Sequence, residues 1–279
     1  MASFPKKSNR IQMVPVKLPV LMYHDVGRSV PEVGDGLTVA PWEFESQIAW
    51  LAGHGYTGIA PLEWVAWRDQ GQALPEKPVL ITFDDGYSGV ARYGLPILQR
   101  HGFRATVFVV TQRLGCWNTW DQSSGYAAKP LMSASEVVYW AGRGFEFGCH
   151  TRTHANLASL SEDEIENEIL GSRHDLAKIL RRRPTAFAYP WGSFNKSAYS
   201  YVRKTFEIAF SIRRGLNFRG TDLHLMRRAA VRPRHSMLDF ATRMAFGSNP
   251  AGRFDAALTS MARRLCPAEC IPHTRRTLD

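Results

Sequence analysis

The chain has 279 residues, 44% of them hydrophobic, with an ordinary share of glycine and proline. This length and composition predict one large domain, or one domain with a small appendage, and they exclude collagen-like and intrinsically disordered chains. The 35 lysines and arginines against 25 acidic side chains leave a formal net charge of +10, which favours anionic partners.

The first segment is an N-terminal extension over residues 1–17. It carries Lys6, Lys7 and Arg10, but no apolar core of the length that a signal peptide needs follows them. The chain also has no apolar stretch long enough for a transmembrane helix. We therefore expect a cytoplasmic or membrane-peripheral protein, with a secreted or periplasmic location left open.

Arginines gather at two places in the second half of the chain, at Arg181–Arg183 and between Arg213 and Arg234, a stretch that includes Arg228. Such a surplus favours contact with an anionic membrane or a phosphate-bearing substrate, although a generally basic surface explains it equally well. No basic motif interleaved with aromatic residues appears, so nucleic acid is not expected as a partner.

Short apolar runs alternate with amphipathic stretches through residues 18–247. The apolar runs predict strands, because they are short and rich in β-branched and aromatic residues. The predicted strands are 20–23, 79–83, 105–110, 145–147, 186–189 and 208–211, with a further one over 225–231. The predicted helices are 41–52, 133–141, 161–180 and 196–203. This alternation predicts a parallel α/β fold, most simply a barrel.

The C-terminal segment, residues 248–279, is predicted to form a helix over 254–265 and a loose tail. It contains Cys266 and Cys270. No histidine stands at zinc-finger spacing beside them, so we expect free thiols or one local disulfide.

Two adjacent carboxylates, Asp84 and Asp85, follow the strand predicted over 79–83, in the sequence TFDDGY. Carboxylates at the end of a buried strand are costly unless they are paired or bind a metal. Neighbouring side chains on a strand point to opposite sides, so the two can do different jobs. Taken alone, the pair fits a solvated turn better than a site.

Two histidines, His150 and His154, follow the strand predicted at 145–147, in the sequence HTRTH. Histidines four apart can bind one metal ion from a helical turn or a tight loop. Together with a carboxylate they make a set of three protein ligands, which leaves a coordination position open for water and points to catalysis.

Two further strand ends carry candidate site residues. Tyr189 ends the strand at 186–189, and Pro190 and Trp191 follow it; together they predict an aromatic groove wall for a sugar, or alternatively an ordinary core corner. His24 follows the strand at 20–23 and is a candidate general acid or base, with Asp25 as a candidate orienting carboxylate. A buried structural histidine is the alternative.

The motifs LMYHDV, TFDDGY, HTRTH and FAYPWG, in this order, resemble the polysaccharide deacetylases of carbohydrate esterase family 4, the NodB-homology domain. The branch they resemble most is that of the bacterial poly-N-acetylglucosamine deacetylases, which begin with a Tyr-His motif. The resemblance runs from about residue 18 to 235. It implies a distorted (β/α) barrel of about seven parallel strands.

The resemblance also implies roles for the site residues. Asp84 would be the catalytic base, and Asp85, His150 and His154 would hold one divalent metal ion. Zinc suits this set, with nickel, cobalt or iron as competitors. Thr151 would brace the histidine loop.

This sequence departs from the family at two points. Many members have an arginine before the aromatic-proline motif that orients the catalytic aspartate, and Phe187 and Ala188 stand here instead. The orienting partner of Asp84 therefore stays unidentified. Many members also take their general acid from a late Leu-x-His motif, for which this chain offers only a weak candidate, so we expect His24 to be the acid, with His235 in reserve.

The expected function is removal of N-acetyl groups from an acetylated amino-sugar polysaccharide or oligosaccharide, with Asp84 as base and a metal-bound water as nucleophile. The first alternative is a deacetylase or deformylase of a lipid-linked or nucleotide-linked sugar. The second is a glycan-binding module without catalytic activity.

Overall fold

In the described residues, the main sheet has seven parallel strands in one row that curls into a distorted half-barrel, and an eighth strand pairs beside this row. A computed structural model describes residues 16–28, 36–120 and 128–248 of the chain. Along the sheet the strands follow the order β10-β1-β5-β6-β7-β8-β9, with β4 beside β5, while β2 and β3 pair separately. The strands are β1 (Val20–Tyr23), β2 (Asp25–Val26), β3 (Thr38–Val39), β4 (Thr57–Gly58), β5 (Pro78–Phe83), β6 (Thr106–Val109), β7 (Glu146–Cys149), β8 (Ala186–Ala188), β9 (Ile208–Phe210) and β10 (Ala229–Ala230).

Helices connect most of these strands, as parallel pairing requires. They are α1 (Pro41–Gly53), α2 (Pro61–Gln70), α3 (Leu95–Arg100), α4 (Ala134–Ala141), α5 (Glu162–Leu180), α6 (Lys196–Thr205) and α7 (Met237–Phe246). The longest, α5, begins after Ser161, whose backbone amide donates to the Glu164 carboxylate at 2.8 Å. Within the described ranges, none of these helices combines the length and apolar character needed to cross a membrane.

Alternate side chains of the strands pack into two hydrophobic clusters, because neighbouring strand residues point to opposite faces of the sheet. The larger cluster joins one face, including Ile81 and Val107, to helix residues such as Phe44 and Ile169. The smaller one joins the other face to Trp64 of α2. With both faces covered, the strands are buried almost throughout, which explains their nearly continuous apolar runs.

The register of the strands aligns their carboxyl ends along one edge of the sheet. Tyr23 lies opposite Phe83 in the β1–β5 pair, and Val109 lies opposite Cys149 in the β6–β7 pair. The residues that follow β1, β5, β7 and β8 therefore meet at this edge, where chemistry collects in parallel α/β folds.

The predicted fold class is confirmed, and six predicted strands lie within a few residues of observed ones. The strand predicted over 225–231 shortens to β10, because Met226 pairs with Phe210 of β9 whereas Ala229 and Ala230 pair with β1. Helices α2, α3 and α7 were not predicted. The predicted C-terminal helix, Cys266 and Cys270 lie outside the described residues, as does most of the N-terminal extension.

Candidate active site

Asp84 and Asp85 leave β5 through a tight turn. The Asp84 amide still donates to the Tyr23 carbonyl of the neighbouring strand, at 3.0 Å. Asp85 and Gly86 then take left-handed backbone angles, with φ of 71° and 77°. A Cβ at Gly86 would lie 2.9 Å from Val109, so both the backbone angle and the close approach favour glycine. Because of this turn, the Asp85 carboxylate lies beside His150 and His154, whereas the Asp84 carboxylate lies beside Arg228.

Asp85, His150 and His154 bring three buried ligand atoms within 4.8 Å of one another. Oδ1 of Asp85 lies 3.3 Å from Nε2 of His150 and 3.2 Å from Nε2 of His154. Burial by itself would raise the pKa of Asp85, but the two imidazoles beside it hold that pKa well below its usual value. The carboxyl group is therefore an anion at neutral pH.

The ring of His150 is oriented by the backbone of the adjacent strand. Its Nδ1 lies 2.8 Å from the carbonyl oxygen of Ala188, the last residue of β8. Because a carbonyl only accepts hydrogen bonds, Nδ1 carries the proton. Nε2, the other ring nitrogen, faces Asp85 and is the atom that could bind a metal once it has lost its proton.

His154 lies between two tryptophans. Trp120 stacks on its ring at a centroid distance of 4.4 Å, and Trp191 meets it edge-on at 4.8 Å. Nε1 of Trp191 also donates to the His154 carbonyl oxygen, at 3.3 Å. The backbone is left-handed at His154 and at Thr151, and the Thr151 hydroxyl accepts a hydrogen bond from the His154 amide at 3.0 Å. This contact is the bracing that the family resemblance implies for Thr151.

This donor set fits a divalent cation. Two imidazoles and one carboxylate are ligands that zinc and its neighbours in the first transition row accept, and three protein ligands leave room for water or substrate. In the parts of the chain that the structure describes, no backbone amide or hydroxyl group donates to the buried Oδ1 of Asp85. A buried anion that lacks such donors is stabilised by a cation.

Asp84 is paired with a fully buried arginine, Arg228, which lies just before β10. The two form a bidentate ion pair, with Nη1–Oδ1 at 2.7 Å and Nη2–Oδ2 at 2.8 Å. Arg228 also donates to the Ser211 carbonyl oxygen and to the Thr82 hydroxyl. Burial by itself would raise the pKa of Asp84, but the Arg228 guanidinium brings that pKa below its usual value.

Arg228 corrects one expectation and answers an open question. Its side chain is 0% exposed, so it does not belong to the basic surface on which we counted it. It supplies the orienting partner of Asp84 that was missing before the aromatic-proline motif. The signal in the sequence was two adjacent charged residues, Arg227 and Arg228, inside a stretch predicted as a strand.

His24 lies at the site, and its positive charge would lower the pKa of both Asp84 and Asp85. Its ring is partly exposed. The Asp25 carboxylate accepts a hydrogen bond from Thr38 and pairs with Lys129, and orientation of His24 by Asp25 stays a prediction.

His235 has a different environment. Its Nδ1 accepts a hydrogen bond from the Arg232 amide, and Nε2 lies 3.2 Å from the Arg243 guanidinium. Burial and then the charge of Arg243 lower the pKa of His235 to about 4. It is neutral at pH 7, which makes it a poor proton donor there.

The three aromatic-motif residues differ in their exposure. Tyr189 is 1% exposed and packs against Phe187 and Phe194, and Pro190 is also buried. Trp191 is 46% exposed. Of these three, Trp191 offers a surface on which a sugar ring could pack, whereas Tyr189 and Pro190 support its position.

A profile of the polysaccharide deacetylase family matches residues 71–206. Bacillus subtilis YxkH is 28% identical over 220 residues, which cover 78% of this chain and 73% of that protein. The poly-beta-1,6-N-acetyl-D-glucosamine N-deacetylase of Staphylococcus epidermidis is 26% identical over 170 residues, 60% of this chain and 58% of that protein, so this chain spans less than two thirds of its length. The solved structure of Streptococcus pyogenes deacetylase PplD in complex with acetate is 26% identical, with a TM-score of 0.71 over 83% of this chain and 99% of that one.

Proposed function

The chain belongs to the polysaccharide deacetylase family, and from this premise we propose that it is a metal-dependent hydrolase that removes N-acetyl groups from an amino-sugar polysaccharide or oligosaccharide. One observation carries the proposal. Asp85, His150 and His154 converge as a three-ligand set, while the neighbouring Asp84 is turned away to Arg228. A metal site with a separate carboxylate beside it is what amide hydrolysis needs.

Asp84 acts as the general base. A divalent cation held by the three ligands would polarise the acetyl carbonyl and make water more acidic. The bidentate pair with Arg228 fixes the Asp84 carboxylate in one orientation and keeps it ionised, so that it can accept a proton at neutral pH. A low pKa makes Asp84 a weak base. A weak base is sufficient here, because a bound metal would already make the attacking water more acidic.

His24 acts as the general acid. The amine of an amide is a poor leaving group, so it must gain a proton as the carbon–nitrogen bond breaks. His24 is near enough to both aspartates for its charge to act on them, and it is partly exposed at the rim of the site. The lowered pKa of His235, about 4, supports His24 over His235 for this role.

The substrate is an N-acetylated glycan, and the staphylococcal relative suggests poly-β-1,6-N-acetylglucosamine as the first to test. Trp191, exposed beside His154, supports the assignment because an aromatic face can pack on the apolar face of a sugar. A nucleotide-linked or lipid-linked sugar is the competing substrate class, and acetate release from a panel of all three decides between them.

The test of this function combines activity with metal content. Asp84→Asn should lower acetate release from acetylated glucosamine oligomers by about 10²–10⁴-fold while the bound metal, measured by elemental analysis, stays at the wild-type level. Asp163→Asn, an exposed change on α5, is the control and should keep both. Near-wild-type activity of Asp84→Asn would overturn the assigned base. Metal-loaded wild type that releases no acetate would favour a non-catalytic glycan-binding module.

His24→Asn tests the acid separately. Because a general acid must be protonated, its loss should remove the alkaline limb of the pH–rate profile and leave a low residual rate. An unchanged profile would move the role to another group.

We also propose that a basic concavity at the end of α5 contacts an anionic surface. Arg173, His174 and the three arginines at 181–183 line a shallow cavity of about 610 Å³. It lies where β8 begins, whereas the metal ligands lie where the strands end. Substituting Arg173 and Arg181 together by glutamine should weaken cosedimentation with phosphatidylglycerol vesicles, and equal cosedimentation would refute this contact.

A further inference from the structure

A buried glutamate on α5, Glu168, is bonded to the loop that carries both histidine ligands. Its Oε2 accepts hydrogen bonds from the backbone amides of Arg152, at 2.8 Å, and Thr153, at 3.0 Å. Its Oε1 accepts a third from the Thr153 hydroxyl, at 2.8 Å. The side chain is 7% exposed. These bonds hold the residues midway between His150 and His154.

The position of Glu168 on its helix is unusual for a charged residue. It shares the inner face of α5 with Ile165, Ile169, Ser172 and Leu176, all of them buried. A carboxylate on such a face is costly unless its oxygens are satisfied. The guanidinium of Arg152 does not pair with it but bonds to Asp175 and Asn167. Backbone amides thus supply much of the compensation, as in an anion-binding nest.

The loop needs an external support of this kind. Thr151 and His154 both have left-handed backbone angles, with φ of 63° and 67°, which non-glycine residues adopt only when the surroundings impose them. Two further bonds hold the other side of the loop, where the amides of Thr111 and Gln112 donate to the carbonyls of Thr151 and Arg152. Glu168 binds the amides on the opposite side.

We propose that Glu168 is a positioning residue that pre-organises the loop from His150 to His154 for metal binding. The inference rests on the proposed function, in which these histidines and Asp85 hold the metal. Glu168 touches neither the metal ligands' ring nitrogens nor the substrate. It fixes the backbone between the two histidines, so that both Nε2 atoms face Asp85 before a cation binds.

The test is the zinc dissociation constant, measured by competition with a chromophoric chelator on the full chain. Glu168→Gln keeps the shape of the side chain and can keep one oxygen on the two backbone amides, but it removes the negative charge and places an N–H₂ where Oε1 accepts from the Thr153 hydroxyl. We expect zinc affinity to fall by about 10–100-fold, the usual effect of losing an outer-shell support. At saturating zinc, kcat should return close to the wild-type value, because no group that touches the substrate has changed.

Asp175→Asn is the matched control. Asp175 lies on the same helix and ties the same loop, but it does so through the Arg152 side chain rather than through the backbone. We expect Asp175→Asn to lower the melting temperature of the metal-free protein. Its zinc affinity should stay within about twofold of the wild-type value, because the backbone bonds to Glu168 are unchanged. Equal zinc affinity in Glu168→Gln and wild type would overturn the inference, as would equal losses in both variants.

Glu168→Asp gives a second reading if the glutamine variant does not fold. It keeps the charge but withdraws both oxygens by one methylene, and its zinc affinity should lie between those of wild type and Glu168→Gln. If Glu168→Asp binds zinc as tightly as the wild type although its bonds to the loop are longer, that result would count against the inference. Failure of the wild-type chain to bind zinc would instead refute the proposed metal site.

Discussion

Replacing Arg228 by methionine should destabilise the protein because it leaves Asp84 buried without its counter-ion. Arg228 is fully buried and Asp84 is 3% exposed, and the pair is joined by two bonds of 2.7 and 2.8 Å. Methionine fills much of the same volume without charge. The variant therefore removes the compensation for the carboxylate while it retains most of the packing.

The size of the effect follows from the burial of the pair. Removing one partner of a buried ion pair typically lowers the free energy of unfolding by about 3–5 kcal/mol. For a domain of this size each kcal/mol shifts the melting temperature by about 2–4 °C, so we expect a decrease of about 6–20 °C. The double variant Asp84→Asn with Arg228→Met should recover most of it, because no charge is left uncompensated.

The stability loss of Arg228→Met should depend on pH, and the shifts in the Asp84 pKa give the direction of that dependence. In the wild type the pKa of Asp84 is lowered, so its contribution to stability is present above the usual carboxyl pKa and is lost as the pH falls through the lowered value. In Arg228→Met, burial remains and raises the pKa instead. The stability deficit of the variant should therefore grow as the pH rises above about 4, and it should be larger at pH 8 than at pH 5.

Thermal unfolding at both pH values, for the single and double variants, is the assay. Arg182→Met is the control, since Arg182 forms an exposed pair with Glu146 at 3.3 Å and surface pairs contribute about 1 kcal/mol or less. Its melting temperature should stay within about 4 °C of wild type. An Arg228→Met protein that melts like the wild type, or whose deficit is the same at pH 5 and pH 8, would refute the reasoning.

Three further predictions concern single positions. His235→Asn should leave the pH–rate profile of deacetylation unchanged above pH 5, because the pKa of His235 is already about 4; a lost alkaline limb would transfer the acid role from His24. Trp191→Ala should raise KM for a glycan by up to about 45-fold, since its exposed face can bury roughly 90 Å² at about 25 cal/mol per Å², and an unchanged KM would remove it from the binding surface. Gly148→Ala would place a methyl 2.5 to 2.8 Å from neighbouring ring and carbonyl atoms and should lower stability in urea by about 1–3 kcal/mol. Gly142→Ala, with no atom nearer than 3.5 Å, is its control, and equal urea midpoints would contradict the expected clash.

The parallel α/β architecture and the edge that carries the site were predictable from the sequence. Strands such as β5 and β7 are buried on both faces, so they appear as continuous apolar runs. Parallel strands point the same way, so polar residues just after them must gather at one edge. For this reason the sequence alone predicts that His24, Asp84 and His150 lie together.

Helices α2 and α7 were less accessible to sequence reasoning. In α2 few side chains are buried, among them Pro61 and Trp64, so its periodicity is weak. In α7 the buried residues Phe240 and Met244 are accompanied by exposed apolar ones such as Leu238, which blurs the apolar stripe.

Sequence alone determined where the strands lie along the chain and which side chains follow each of them. Both depend on local patterns of two to seven residues. It did not determine the partners of those side chains. Arg228 is 144 residues from Asp84 along the chain, and in the sequence it was one more arginine in a basic stretch. Glu168 was one more acid on a helix rich in acids. Only the pairing of β10 with β1, next to β5, brought Arg228 to Asp84, and only the packing of α5 brought Glu168 to the histidine loop, because contacts between residues far apart in sequence are set by the tertiary fold and not by local patterns.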